Sequence, residues 1–273
     1  MIVEHAYAKL NLCLDVIGKR ADGYHDLQMI VVPLQLSDIL SFEKANEMTL
    51  EADVNIEHNA ILKTALLMKE RYHIDENAKI TLQKHIPIGS GLGGESADIA
   101  ATIRGLNKLW SLGLNHEALE DLALSLGSDT LFCLYNKTAR VTGRGEHLEF
   151  LEKPMISNIY LCVSNHPIST KKSFENYVKT TPEIPFETLL QMYKNKDFKA
   201  FFKQSFNGLL ETAFLLDKTL KNTYYDLKNH YKNAYMTGSG STLFVIEFSE
   251  KSVDLDEIKT ISKRNVIKTT IFD

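Results

Sequence analysis

The sequence predicts an α+β protein of two domains, on three observations. Strand-like alternation and helical spacing follow one another in irregular order rather than as repeated β-α-β units, a glycine-rich turn joins a strand to a helix, and Pro154 opens a second succession of strands and helices. The division is placed at 1–153 and 154–273. With 273 residues, 44% of them hydrophobic and 24% charged, the chain can bury a substantial core, and this composition excludes disorder.

Residues 2–17 alternate. Ala8, Leu10, Leu12, Leu14 and Val16 share one face, and Tyr7, Lys9, Asn11, Cys13 and Asp15 the other, which predicts a strand with one polar face. The stretch "KRADGYHD", with Asp22-Gly23 as its turn signal, leads into a second strand, "LQMIVVPLQL", paired with the first, and Pro33 marks an edge or a bulge. "NAILKTALLMKERY" has helical spacing and "AKITLQKHI" reads as a strand stopped by Pro87. Ile99, Ile103, Leu106 and Trp110 recur at helical intervals after the glycines, and a further helix, "HEALEDLALSLG", ends at Gly127 as a left-handed cap. "SDTLFCLY" and "ARVTG" follow. Beyond Pro154 come a strand "NIYLCVSN", helical stretches over 195–216 and 216–231, a glycine-broken strand "AYMTGSGSTLFVIEF", a helix near "VDLDEIKTI" and a last strand "NVIKTTIF". There is no internal repeat.

A formal charge of −4 argues against a nucleic-acid or polybasic membrane binder and leaves a small molecule as the expected partner. "MIVEHAYAKLNL" lacks the pattern of a secretory signal, and no apolar run reaches spanning length, so a cytoplasmic location is expected. Cys13, Cys133 and Cys162 are few, odd in number and far apart, which predicts buried reduced thiols rather than disulfides or a metal site.

The stretch "GSGLGGESAD", Gly89 to Asp98, carries the chemistry. It spells a dinucleotide fingerprint, but helix follows helix where that fold requires a strand ending in an acid. It nearly spells a P-loop, but Glu95 stands where the lysine that reaches the outer phosphates should be. What remains is a loop that offers backbone N–H groups at a helix N-terminus, able to bind phosphate without a side-chain cation. A ligand-free strand-to-helix turn is the bland alternative, and four glycines in six residues exceed what such a turn needs.

Four stretches in this order, "AKLNLCLDVIGKRADGYHDLQMI", "IPIGSGLGGESADIAATIRGLN", "LGSDTLFCLYNKTARVTGRGE" and "MTGSGSTLFV", make the chain resemble the GHMP kinases over nearly its whole length. The branch it resembles phosphorylates the 2-hydroxyl of a cytidine diphosphate-linked methylerythritol in non-mevalonate isoprenoid synthesis. The resemblance implies an N-terminal ribosomal-protein-S5-domain-2-like domain and a C-terminal ferredoxin-like domain, with the active site in the cleft between them. It implies Lys9 and Asp129 as the catalytic pair, and Asn11 on the substrate side. Pro87, Ile88, Gly89, Ser90, Gly91, Leu92, Gly93, Gly94, Glu95 and Ser96 would form the ATP phosphate loop. Tyr24 and His25 would stack on and hydrogen-bond the cytosine, Phe174 would be a second stacking ring, and Thr170 a polar contact. Gly238 and Gly240 would wall the site. Mg²⁺ would arrive on the ATP phosphates, with no metal cage in the protein, and the chain would be a monomer or a weak homodimer. Taken singly, Lys9 also reads as a solvated strand face, Asp129 as a helix N-cap and Tyr24 as turn packing.

The chain departs from the family pattern in three places. Tyr7 replaces a proline, "GSDTLF" stands where the family has a pattern closer to G-A-D-V-P-F, which puts Thr130 and Leu131 beside Asp129, and Glu95 replaces a glycine. A carboxylate about 5 Å from a phosphate oxygen would cost about 3 kcal/mol at an effective dielectric of about 20, or roughly a hundredfold in ATP affinity. Turned to solvent, the same group would favour the helix by about 0.3–1 kcal/mol. Altered specificity and weakened catalysis are the competing functional readings.

Overall fold

The structure is a computed structural model describing residues 1–55, 59–248 and 252–272. The chain divides into two compact units that take alternate stretches of it. The first holds Met1–Ala8, Leu36–Ile86 and Gly93–Asn136, and the second Lys9–Gln35, Pro87–Leu92 and Lys137–Asp273.

Strands β1 (Ile2–Lys19) and β2 (His25–Ala45) run through both stretches and pair with each other, as the alternation and the Asp22-Gly23 turn predict. Gly23 donates to the Arg20 carbonyl at 3.1 Å, and the Arg20 side chain bonds Asp22, Asp26 and Glu146. Pro33 lies inside β2, where the strand changes partners. Leu27–Val31 pair antiparallel with β5 (Ala139–Gly143), and Ile39–Ala45 with β4 (Asn77–Gln83), so the missing N–H falls between the two ladders.

In the first unit, β3 (Thr49–Ala52) lies parallel to β4. Helix α1 (Ala60–Tyr72) is capped by Asn59, whose side chain accepts from Ile61 and Leu62. It packs on α2 (Gly94–Leu109), against which α3 (His116–Leu126) and α4 (Thr130–Tyr135) also lie. The α2 face expected from spacing is buried, with Ile99, Ile103 and Leu106 at 5% exposure or less. Gly127 corrects the expected left-handed cap. Its φ of 177° is extended backbone open to any residue, and what is unusual there is crowding, since an added Cβ would lie 2.8 Å from Thr130 Oγ1.

In the second unit, β6 (His147–Phe150) extends β5, and a four-stranded antiparallel sheet runs β10 (Asn265–Thr269), β7 (Asn158–Val163), β9 (Leu243–Glu247), β8 (Ala234–Met236). Helices α5 (Thr170–Glu175), α6 (Phe186–Lys194), α9 (Lys218–His230) and α10 (Leu255–Ser262) join it. The helical stretch expected over 195–216 is two helices, α7 (Phe198–Gln204) and α8 (Leu210–Leu216). The chain leaves the helix between them to bond β1: Leu14 donates to the Phe206 carbonyl at 3.1 Å, and Gly208 donates to the Leu14 carbonyl at 2.8 Å.

Burial along β1 decides against the solvated-face reading of Lys9. The polar face of β1 is covered rather than solvated, and Lys9, Asn11 and Cys13 are 6%, 2% and 1% exposed. All three cysteines are buried, as expected, and burial pushes the Cys13 and Cys162 thiols up to about 12. Among the described residues, no helix is long and apolar enough to cross a membrane.

Candidate active site

The second unit gathers Lys9, Asn11 and both glycine stretches. Alternation along β1 puts Lys9 and Asn11 on one face, and Lys9 Nζ donates to Asn11 Oδ1 at 2.7 Å. The Lys9 N–H bonds the Leu92 carbonyl at 2.9 Å, which fastens the strand to the glycine loop. The Asn11 N–H donates to Thr237 Oγ1 at 2.9 Å, which fastens it to the β8–β9 turn. A Cβ built on Gly238 would lie 3.1 Å from the Gly91 carbonyl, 3.5 Å from Lys9 Nζ and 3.7 Å from Asn11 Oδ1. A cation, an amide and two backbone segments therefore meet at one point.

The loop before α2 has a specific backbone. Gly89, Gly91 and Gly93 all have positive φ (68°, 77° and 72°), while Ser90 and Leu92 between them do not. Left-handed glycines at alternate positions are a feature of backbone turns whose N–H groups bind anions. Gly93 occupies the N-cap of α2 and supplies no side-chain cap, which leaves the first-turn N–H groups to an external acceptor. Leu92 is fully buried and Ile88 exposed, so the loop is anchored by one side chain and open at the other end. These features suit a phosphate chain.

The first unit carries Glu95, Ser96 and Asp129. Glu95 is exposed on the first turn of α2. Asp129 is half-buried at the N-cap position of α4, where the capping reading puts it, and makes no side-chain cap hydrogen bond there. The hypothetical Gly127 Cβ lies 2.8 Å from Thr130 Oγ1 and 3.7 Å from Ser96 Oγ, which brings the turn bearing Asp129 beside the start of α2.

The predicted base-recognition residues divide in two. His25 is 9% exposed and stacks on Phe174, with ring centroids 5.0 Å apart and planes at 23°, while Tyr177 meets its edge at 5.7 Å. Burial first, and Lys19 second, lower the His25 pKa, so its imidazole is neutral near pH 7 and offers one donor and one acceptor. Tyr24 is exposed, with the Arg144 guanidinium 5.1 Å over its ring. Thr170, at the start of α5, shares a 3.1 Å hydrogen bond with Ser239 of the glycine turn.

Three supporting residues escaped the sequence reading. Asn207 Nδ2 donates to the carbonyls of Met236 (3.0 Å) and Gly238 (2.9 Å) and holds the turn over Lys9. Its signal was the Asn-Gly dipeptide inside an otherwise helical pattern. Arg264 bonds the Ser241 carbonyl at 2.6 Å, and Lys84 is buried beneath Gly94; neither gives a local signal. Among the described residues, no group of three or more His, Cys, Asp or Glu is placed to hold a metal ion.

Comparison with known proteins points the same way. Residues 59–137 match the family model described as the GHMP kinases N terminal domain. A Staphylococcus epidermidis protein named "Putative 4-diphosphocytidyl-2-C-methyl-D-erythritol kinase" is 37% identical over 261 residues, 92% of each chain. A Staphylococcus aureus protein of the same name is 38% identical over 259 residues, 89% of each chain. A crystal structure of 4-(cytidine 5'-diphospho)-2C-methyl-D-erythritol kinase superposes with a TM-score of 0.80 at 26% identity, covering 98% of both chains. The Methanococcus jannaschii mevalonate kinase shares the fold at a TM-score of 0.68 and 13% identity, covering 100% of this chain and 98% of that one.

Proposed function

The chain belongs to the GHMP kinases and, within them, to the 4-diphosphocytidyl-2-C-methyl-D-erythritol kinases, and from that membership we propose how its residues divide the work of phosphorylating the 2-hydroxyl of the cytidine diphosphate-linked substrate. It is a small-molecule kinase of isoprenoid precursor synthesis. The observation that carries the assignment of roles is the meeting of Lys9 Nζ, Asn11 Oδ1 and the backbone of Gly91 and Gly238.

ATP, when bound, supplies the phosphoryl group and brings Mg²⁺ on its phosphates. Phosphoryl transfer has little covalent chemistry for a protein to perform, so the residues act by position and charge. The N–H groups of residues 89–96 hold phosphate oxygens. Lys9, kept in one rotamer by the Asn11 amide, offsets negative charge that develops on the oxygens in flight. Asp129 accepts or orients the proton of the acceptor hydroxyl. The neutral His25 imidazole reads the donor and acceptor edge of the cytosine, with Tyr24 and Phe174 as the aromatic surfaces nearby. The exposed position of Glu95 favours full activity over a weakened paralogue.

The test is formation of ADP by purified protein with MgATP and the cytidine diphosphate substrate, run beside an enzyme of known activity. Asp129→Ala is expected to lower turnover by about 10²–10⁴-fold with MgADP binding retained. Unchanged turnover would place the catalytic carboxylate elsewhere. ADP formation on mevalonate or an amino alcohol, and none on the cytidine substrate, would replace the specificity.

A further inference from the structure

Beneath the first turn of α2, in the first unit, lie three buried charged side chains that the assignment above does not use. Lys84, just past β4, donates through Nζ to Asp38 of β2 and, at 2.7 Å, to Asp98 of α2. The side chains of Lys84, Asp38 and Asp98 are 8%, 0% and 6% exposed. Asp38 Oδ1 also accepts the N–H groups of His85 and Ile86, the latter at 2.7 Å. Asp98 Oδ1 is buried with no hydrogen-bond partner among the described residues. A Cβ on Gly94, the first residue of α2, would lie 3.2 Å from Lys84 Nζ, so the cluster lies directly beneath the N-terminus of that helix.

Two carboxylates face one ammonium, and fully ionised the triad carries one negative charge too many, buried beneath the helix N-terminus whose first-turn N–H groups have no side-chain cap. A buried carboxylate oxygen with no donor is costly when charged and far less so when protonated. We propose that the triad is a proton-linked positioning element for nucleotide phosphate, with Asp98 as the residue that takes a proton from solvent when phosphate occupies the loop. The proposal rests on the reading of residues 89–96 as the phosphate loop and goes beyond it by naming what lies beneath the α2 end of that stretch.

The surroundings leave few other groups to titrate. Facing Asp98 are Asp38 from β2 and Lys84 after β4. His85 is exposed and turned to the Ser37 carbonyl, Asp53 is exposed and accepts the Lys84 N–H, and Glu95 on the same helix is exposed. The buried residues of α1, α3 and α4 packed on α2 are uncharged. Burial, together with the like charge of Asp38 and against the pull of Lys84, raises the Asp98 pKa well above the usual carboxylate range. Burial alone would lower that of Lys84, but the two carboxylates outweigh it, and the ammonium stays charged.

The sign of the effect follows. At low pH Asp98 is protonated, the triad is neutral, and phosphate binds beside it without penalty. As pH rises the proton is lost, and an uncompensated charge opposes the phosphates. MgADP affinity of the wild type is expected to fall about tenfold between about pH 6 and about pH 9. Asp98→Asn, measured by the same calorimetry, should keep the acid-side affinity across that range, and any titration of ADP itself is common to both proteins. Equal slopes in the two proteins would overturn the proposal. Should the variant not fold, the wild type suffices: titration near pH 8 in buffers of different ionisation heat should register net proton uptake on MgADP binding, and zero uptake overturns the proposal. Binding with neither slope nor uptake sinks the triad alone, whereas no binding of MgADP at any pH sinks the phosphate-loop reading with it.

Discussion

Residues 87–92 and 237–242 are both glycine-rich, belong to the same unit and touch each other, yet one is open and the other sealed. Ile88 and Gly89 are exposed, whereas every residue from Thr237 to Thr242 is buried. Both stretches place positive-φ glycines at alternate positions, Gly89 and Gly91 in the open one and Gly238 and Gly240 in the sealed one, and only the open one leaves its outer end to solvent. The sealed one spends its polar groups internally: Gly240 donates to the Thr237 carbonyl, and Asn207 and Arg264 hold the carbonyls of Met236, Gly238 and Ser241. In both, glycine serves conformation and close approach together, since Gly91, Gly238 and Gly240 combine positive φ with a neighbour within 3.1 Å of an added Cβ, so what differs is the use made of the remaining polar groups. Similar composition thus gives a ligand face and the template against which that face is shaped, which is why a motif of glycines alone says little about function.

The largest effect is expected where both demands fall on one residue. Gly91 has a φ of 77°, and a Cβ there would sit 2.8 Å from the Gly240 carbonyl, a backbone atom that cannot swing aside. Gly91→Ala combines left-handed strain of about 1–2 kcal/mol with that clash, and should lower kcat/KM for ATP by about a hundredfold or more while shifting Tm by only a few degrees. Steady-state kinetics with ATP varied, beside a thermal melt, decide it. Activity within about threefold of wild type would mean that the open stretch needs no special backbone, and the contrast between the two loops would collapse.

A smaller effect tests the sealed side. Asn207→Ala removes two hydrogen bonds to carbonyls that then lack a donor, at about 1 kcal/mol each. If the turn at 237–242 serves to hold Asn11 and the space beside Lys9, kcat should fall roughly tenfold with KM for ATP little changed. A loss of stability in urea with kcat intact would make the sealed stretch a packing element only.

Much of this was legible from the residues alone. The period of two along β1 placed Lys9 and Asn11 together, and the period of 3.6 after Gly94 fixed the buried face of α2. What alternation could not show is that the polar face of β1 is covered, because the cover comes from residues about 200 positions away, at 205–208 and 237–238. The break in the helix at Asn207-Gly208 was written in a turn dipeptide that apolar spacing on both sides concealed. Helix α6 carries its signal in Phe186, Leu189, Leu190 and Tyr193, one buried face at helical intervals, in a short stretch that follows a proline. Lys84, Asp38 and Asp98 gave no signal, since each in isolation reads as a solvated charge and only the packed structure turns them into a buried cluster.

The smallest effect concerns Glu95, and it sharpens the comparison because it asks what an open loop tolerates. At an effective dielectric of about 20 the carboxylate would cost roughly a hundredfold in nucleotide affinity, but that figure assumes a group turned inward and shielded from water. Glu95 is exposed on the first turn of α2, where water screens it and the helix dipole favours an acid. Glu95→Gln, which removes the charge and keeps the side chain, should therefore change MgADP affinity by less than about threefold. Glu95→Gly should do the same at about 0.5–1 kcal/mol of helix stability, because glycine also loosens the first turn. A gain of about a hundredfold in both variants would show that the carboxylate faces the phosphates. The open stretch would then be a site held at reduced affinity by its own side chain, and the weakened reading would return.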